Sequence, residues 1–205
     1  MKKMLLLAVA LLLISSSCAY AEAEIRFDNI QWLTDEETTL QQLKASGYIR
    51  DISLPVFSED NSFFFVENEA LGITPTDYSK FKEAIVSYSI SDNSKGKIAG
   101  YTVNDINLTF AFDGIYQLVS VKVDLKNADY ESILGKLRKV YGEPETSTIE
   151  SEGIELNTWK GENNTCVILY TESGTDFVLM YRRTDIEEIL NNCLAPADPD
   201  DVSGL

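Results

Sequence analysis

Apolar and polar residues alternate most regularly between positions 104 and 181. Ile106, Leu108, Phe110 and Phe112 are interleaved with Asn107, Thr109 and Ala111, the period-two pattern of a strand with one buried face. Asp113-Gly114 suits the positive φ angles of a tight hairpin turn. The returning run, 115–125, then places Ile115, Val119, Val121, Val123 and Leu125 on one face. After it the period changes: Tyr130, Ile133, Leu134, Leu137 and Val140 recur three and four apart, which predicts a helix with one apolar stripe. Asn127 or Asp129 is placed to cap its start, Gly142 to stop it and Pro144 to bar its resumption. Three extended runs follow, 154–160, 165–171 and 176–182, separated by the turn sequences Gly161-Glu162-Asn163-Asn164 and Glu172-Ser173-Gly174-Thr175. The succession predicts an α+β fold: an antiparallel sheet with amphipathic helices packed on one face.

The flanks are less regular. Thr34 and Glu37 are spaced as a capping box ahead of a stripe of Leu33, Leu40 and Leu43, and Gly47 can end that helix. Residues 25–32 lead into it as an extended segment. Phe63-Phe64-Phe65-Val66 reads as a short core strand, with an exposed aromatic recognition surface as the alternative. Over 76–90, Tyr78, Phe81 and Ile85 suit a helix, whereas Val86, Tyr88 and Ile90 suit a strand. Thr184 and Glu187 form another capping-box pattern before Ile186, Ile189, Leu190 and Cys193 on a terminal helix. The residues beyond, 195–205, carry two prolines and three aspartates and little to bury, the composition of a disordered acidic tail.

Lys2 and Lys3 precede an apolar run of ten residues from Leu5 to Ile14, then small residues and Ala19-Tyr20-Ala21; residues 1–21 read as a secretory signal peptide. The protein is therefore expected in the periplasm or outside the cell. Lipid attachment at Cys18 is the alternative, and the only route to a membrane that the sequence suggests. Residues 22–194 make one expected domain, which could also be two half-modules of about 22–97 and 98–194. Cys166 in a strand and Cys193 on the terminal helix are, in an exported chain, most simply a disulfide.

Charge and composition narrow the chemistry. The formal net charge of −16 becomes −18 once Lys2 and Lys3 leave with the signal peptide, which disfavours nucleic acid and anionic lipid as partners. Histidine is absent, removing the usual general base and the commonest zinc ligand. No phosphate-binding glycine loop or nucleophile-elbow motif occurs. Asp198, Asp200 and Asp201 lack the glycine turn and distal glutamate of a calcium loop, so neither metal nor cofactor is expected.

Phe27-Asp28-Asn29-Ile30-Gln31-Trp32, Ala99-Gly100-Tyr101, Tyr141-Gly142-Glu143-Pro144 and Trp159-Lys160-Gly161-Glu162-Asn163-Asn164-Thr165 resemble a set of small exported bacterial proteins of unknown function. Gln31 and Leu33 stand where that set usually has proline and glycine. The helix-on-sheet pattern is similar, as a fold analogy, to modules of outer-membrane assembly lipoproteins and β-lactamase inhibitor proteins. Together these features suggest a non-enzymatic binding or interaction module with a protein partner. Its open sheet face would draw on Asn107, Thr109, Tyr116, Leu118, Asn157, Trp159, Val178 and Met180, with Tyr116, Trp159, Asn163 and Met180 as the candidate binding residues. Two alternatives stand beside it. One is a hydrolase driven by two of the 33 acidic residues, and the other an inhibitor acting through the loop 162–165.

Overall fold

The computed structural model describes residues 23–49, 56–58, 81, 84–91, 96–112, 114–149, 154–173 and 176–194. The expectations for the signal peptide, for Phe63–Val66 and for the tail 195–205 lie outside these residues. The elements run α1 (Glu36–Ala45), β1 (Val56–Ser58), β2 (Ile85–Ser91), β3 (Lys97–Ile98), β4 (Tyr101–Phe112) and β5 (Tyr116–Leu125). They continue with α2 (Tyr130–Tyr141), β6 (Glu145–Ile149), β7 (Ile154–Gly161), β8 (Thr165–Ser173), β9 (Asp176–Arg183) and α3 (Ile186–Cys193). The fold is α+β, and every strand pairing among the described residues is antiparallel.

The strand order is β1-β2-β4-β5-β9-β8-β7-β6, with β3 hairpinned onto β4. A helix precedes each set of strands, and the last strands of the two sets, β5 and β9, meet at the centre of the sheet. That seam is short, from Ser120 opposite Arg182 to Val123 opposite Leu179. Beyond it the N-terminal segment takes over as β5's neighbour: Leu33 N–H donates to the Leu118 carbonyl, and Leu118 N–H to that of Thr34. The backbone groups that β9 leaves are thereby satisfied.

One face of the sheet carries the main core. Ile106, Leu108 and Phe110 of β4, Leu118, Val121 and Val123 of β5, and Leu179 of β9 pack under Leu40 and Leu43 of α1 and Ile133, Leu134 and Leu137 of α2. Phe27, Ile30 and Trp32 fill the same layer from the N-terminal segment. On the opposite face α3 lays Ile186 and Leu190 over Phe81, Ile85, Ala111 and Val119. A third buried cluster, which includes Ile154, Cys166, Ile168 and Met180, lies on that same opposite face.

Several local expectations change. Thr109 pairs with Ser120 and Phe110 with Leu118, so Val119 is the extra residue of a β-bulge. The bulge moves Val119 to the α3 side and puts Leu118 into the main core, while Ile115 stays in the turn, 63% exposed. The cap of α1 is Asp35, whose carboxylate accepts from Thr38 N–H at 2.8 Å; the Thr34 hydroxyl binds the Gln31 carbonyl instead, and Leu33 is exposed. Before α3, Asp185 takes the cap position without a capping bond, because its carboxylate is held by Arg183 and Asn164. Residues 85–90 are strand, as Val86, Tyr88 and Ile90 suggested.

Candidate functional site

The four residues expected to form a recognition patch do not meet. Tyr116 is half-buried on the face that carries α1 and α2, its ring 4.8 Å from that of Phe112 and 6.3 Å from that of Phe110. Trp159 is 3% exposed, and its indole N–H donates to the Gly142 carbonyl at 2.8 Å. Met180 is buried on the other face, beside Ile168. Of the wider patch, Leu118, Asn157 and Val178 are buried as well. Only Asn163 is exposed, in the left-handed conformation, at the tip of the β7–β8 turn.

That turn is pinned from both sides. Thr165 Oγ1 accepts from Ile25 N–H at 2.9 Å and donates to the Glu162 carbonyl at 2.7 Å. Asn164 donates its side-chain amide to Asp185, and its carbonyl accepts from Thr184 N–H. Gly161 is required because a Cβ there would stand 2.6 Å from the Ala23 carbonyl oxygen. Burial alone would raise the Asp185 carboxyl, but hydrogen bonds from Arg183 and Asn164 and the Arg183 charge outweigh it and hold it below the usual range.

No disulfide joins Cys166 and Cys193, so the expected bridge is corrected. Cys166 points into the cluster of Ile168 and Met180, whereas Cys193 ends α3 against the separate cluster around Ile186. Burial pushes the Cys166 thiol up to about 11, against the opposing pull of the Arg182 and Lys160 charges.

The structure does form a groove, on the face that carries α2. It lies between α2 and the β3–β4 hairpin and encloses about 470 Å³, the size range of small-molecule sites. Two left-handed residues, Ala99 at φ 51° and Gly100 at φ 89°, close the hairpin in the manner of a type I′ turn. Ile98, Leu137 and Val140 form apolar walls, and Tyr181 of β9 and Tyr141 complete the lining. Val140 is 61% exposed, the price of placing Tyr141 rather than Val140 against the core.

The polar groups of this groove are donors. Lys136 Nζ donates to the Ala99 carbonyl and stands 4.6 Å from the centroid of the Tyr101 ring, which fixes it at the hairpin side. Lys139, one helical turn on, is exposed. Tyr181 is only 6% exposed, and its hydroxyl makes no hydrogen bond to a described residue. Burial, reinforced by the neighbouring Tyr141 and Tyr48, raises its pKa, and burial raises that of Tyr141; both are neutral donors at physiological pH. Among the described residues no aspartate or glutamate lines the groove.

Two carboxylates do face each other elsewhere. Asp105 and Asp124 pair across β4 and β5 on the opposite face, bridged by the Asn104 amide. Among the described residues there is no cluster of potential metal ligands, and no helix is long and apolar enough to cross a membrane.

Sequence reasoning missed the groove because its walls come from segments about forty positions apart. Its one signal was Ala99-Gly100-Tyr101, whose alanine adopts a turn conformation that favours glycine. No family model matches the chain, and no curated protein or solved structure matches it either.

Proposed function

We propose that this chain is an exported, non-enzymatic binding module and that the groove between α2 and the β3–β4 hairpin is where it takes its ligand. The observation that carries this reading is the lining itself: an apolar trough of about 470 Å³ with a few convergent donors and, among the described residues, no carboxylate to act as general acid or base. The Asp105–Asp124 pair lies on the other face of the sheet, away from this trough.

The test uses a neutral environment-sensitive dye such as Nile red on the purified protein. Saturable fluorescence enhancement is expected, and Val140→Glu, at an exposed wall position, should weaken it about tenfold while leaving circular dichroism unchanged. Absence of saturable binding, or equal binding by a folded Val140→Glu protein, would refute the groove. Export has its own readout in the intact mass of the mature protein. Glu22 as first residue supports simple secretion, and an acylated Cys18 supports a lipid anchor.

A further inference from the structure

Resting on that reading, the geometry points to a ligand class: a small amphipathic molecule with an apolar body and a single carboxylate, such as a medium-chain fatty acid. Three features of the groove converge on it. Its walls are Ile98, Leu137 and Val140, which favour an apolar body. Its polar groups, the Lys136 and Lys139 ammoniums and the Tyr181 and Tyr141 hydroxyls, complement an acceptor. An ionised carboxylate only accepts and carries the charge that answers two ammoniums, and the ammonium of Lys136 retains donor capacity after its bond to Ala99.

Charge supplies the third feature. The chain as a whole carries −16, a field that repels anions, yet among the described residues this groove is lined by two lysines and no acid. The neighbouring cation of α2, Arg138, is instead paired with Glu143 at 3.1 Å. Tyr181, 6% exposed and part of the lining, adds a neutral hydroxyl donor to the two ammoniums. A cationic amphiphile would meet two ammoniums, and a neutral one would leave them without a counter-charge.

Decanoate and decanol, titrated calorimetrically into the full mature protein at low salt, separate the possibilities. Decanoate should bind about tenfold more tightly than decanol, with a preference that shrinks as salt is added. Lys139→Gln should reduce that preference, and Lys136→Gln/Lys139→Gln should abolish it. Lys139 is exposed, so the single variant remains informative if the double variant fails to fold. Tyr181→Phe should cost decanoate several-fold in affinity. Equal binding of the two probes, both lost in Val140→Glu, would overturn the carboxylate and leave the groove standing. Binding of neither probe would overturn the groove itself, and tighter binding of decylammonium would overturn the charge argument.

Discussion

The indole of Trp159 ties strand β7 to the end of α2: its N–H meets the Gly142 carbonyl, where the helix has run out of its own donors. Trp159→Phe should therefore cost about 1–2 kcal/mol in urea unfolding, because the ring volume is largely kept and the carbonyl loses its partner. A change within experimental error would show that water replaces the indole. The sequence could not place this residue, since Ile154 and Leu156 face one side of β7 and Trp159 the other, and both sides are buried. Alternation reveals which residues share a face, and it is silent on which face is covered. The cysteines obey the same distinction. With Cys166 buried and its thiol raised to about 11, iodoacetamide at about pH 8 should modify Cys193 well before Cys166, which should react only on unfolding. Equal rates in the native protein would contradict the packing of β8. So would a mass gain that requires prior reductant.

At the level of elements, α2 was the most legible part of the chain. Asp129 caps it through Ser132 N–H at 2.8 Å, and Gly142 at φ 85° ends it, both as the residue types dictate. Asp129→Ala should lower stability by about 1 kcal/mol, read from the denaturation midpoint, while Val140→Glu should change it by less than about 0.5 kcal/mol. The reverse order would mean that Val140, rather than Tyr141, closes the stripe. The hairpin of β4 and β5 was legible in its turn and its pairing, yet its faces were half wrong, because the bulge at Val119 changes parity, so that Leu118 rather than Val119 shares the main face with Val121, Val123 and Leu125. The adjacent Leu118-Val119 pair in an otherwise alternating strand was the available sign. The groove was illegible for a different reason. Its chemistry depends on an α2 turn and the Ala99-Gly100 turn being brought together, and no local pattern encodes that approach.

Across the whole molecule, tyrosine couples the fold to alkaline pH. Tyr88, Tyr130, Tyr141, Tyr181 and Tyr48 are all raised above the ordinary 10.0, in each case chiefly by burial. Tyr88 also donates to Glu36 of α1 at 3.0 Å, so its proton holds that helix to β2. Above about pH 10 the unfolded chain releases these phenolic protons while the native state keeps them, and stability must fall as pH rises through that window. Below about pH 9 neither state ionises, and the contribution is fully present. Melting temperatures should accordingly be flat from about pH 7 to 9 and drop beyond about pH 10. Self-repulsion in a chain of net charge −16 would also grow with ionisation, and salt distinguishes the two causes, because mutual repulsion at the surface is screened while burial is not. The drop should persist in about 0.5 M salt and shrink in Tyr181→Phe, which removes the deepest hydroxyl without breaking a hydrogen bond to any described residue. A drop erased by salt would assign it to net charge and leave the tyrosine floor of the groove without this role.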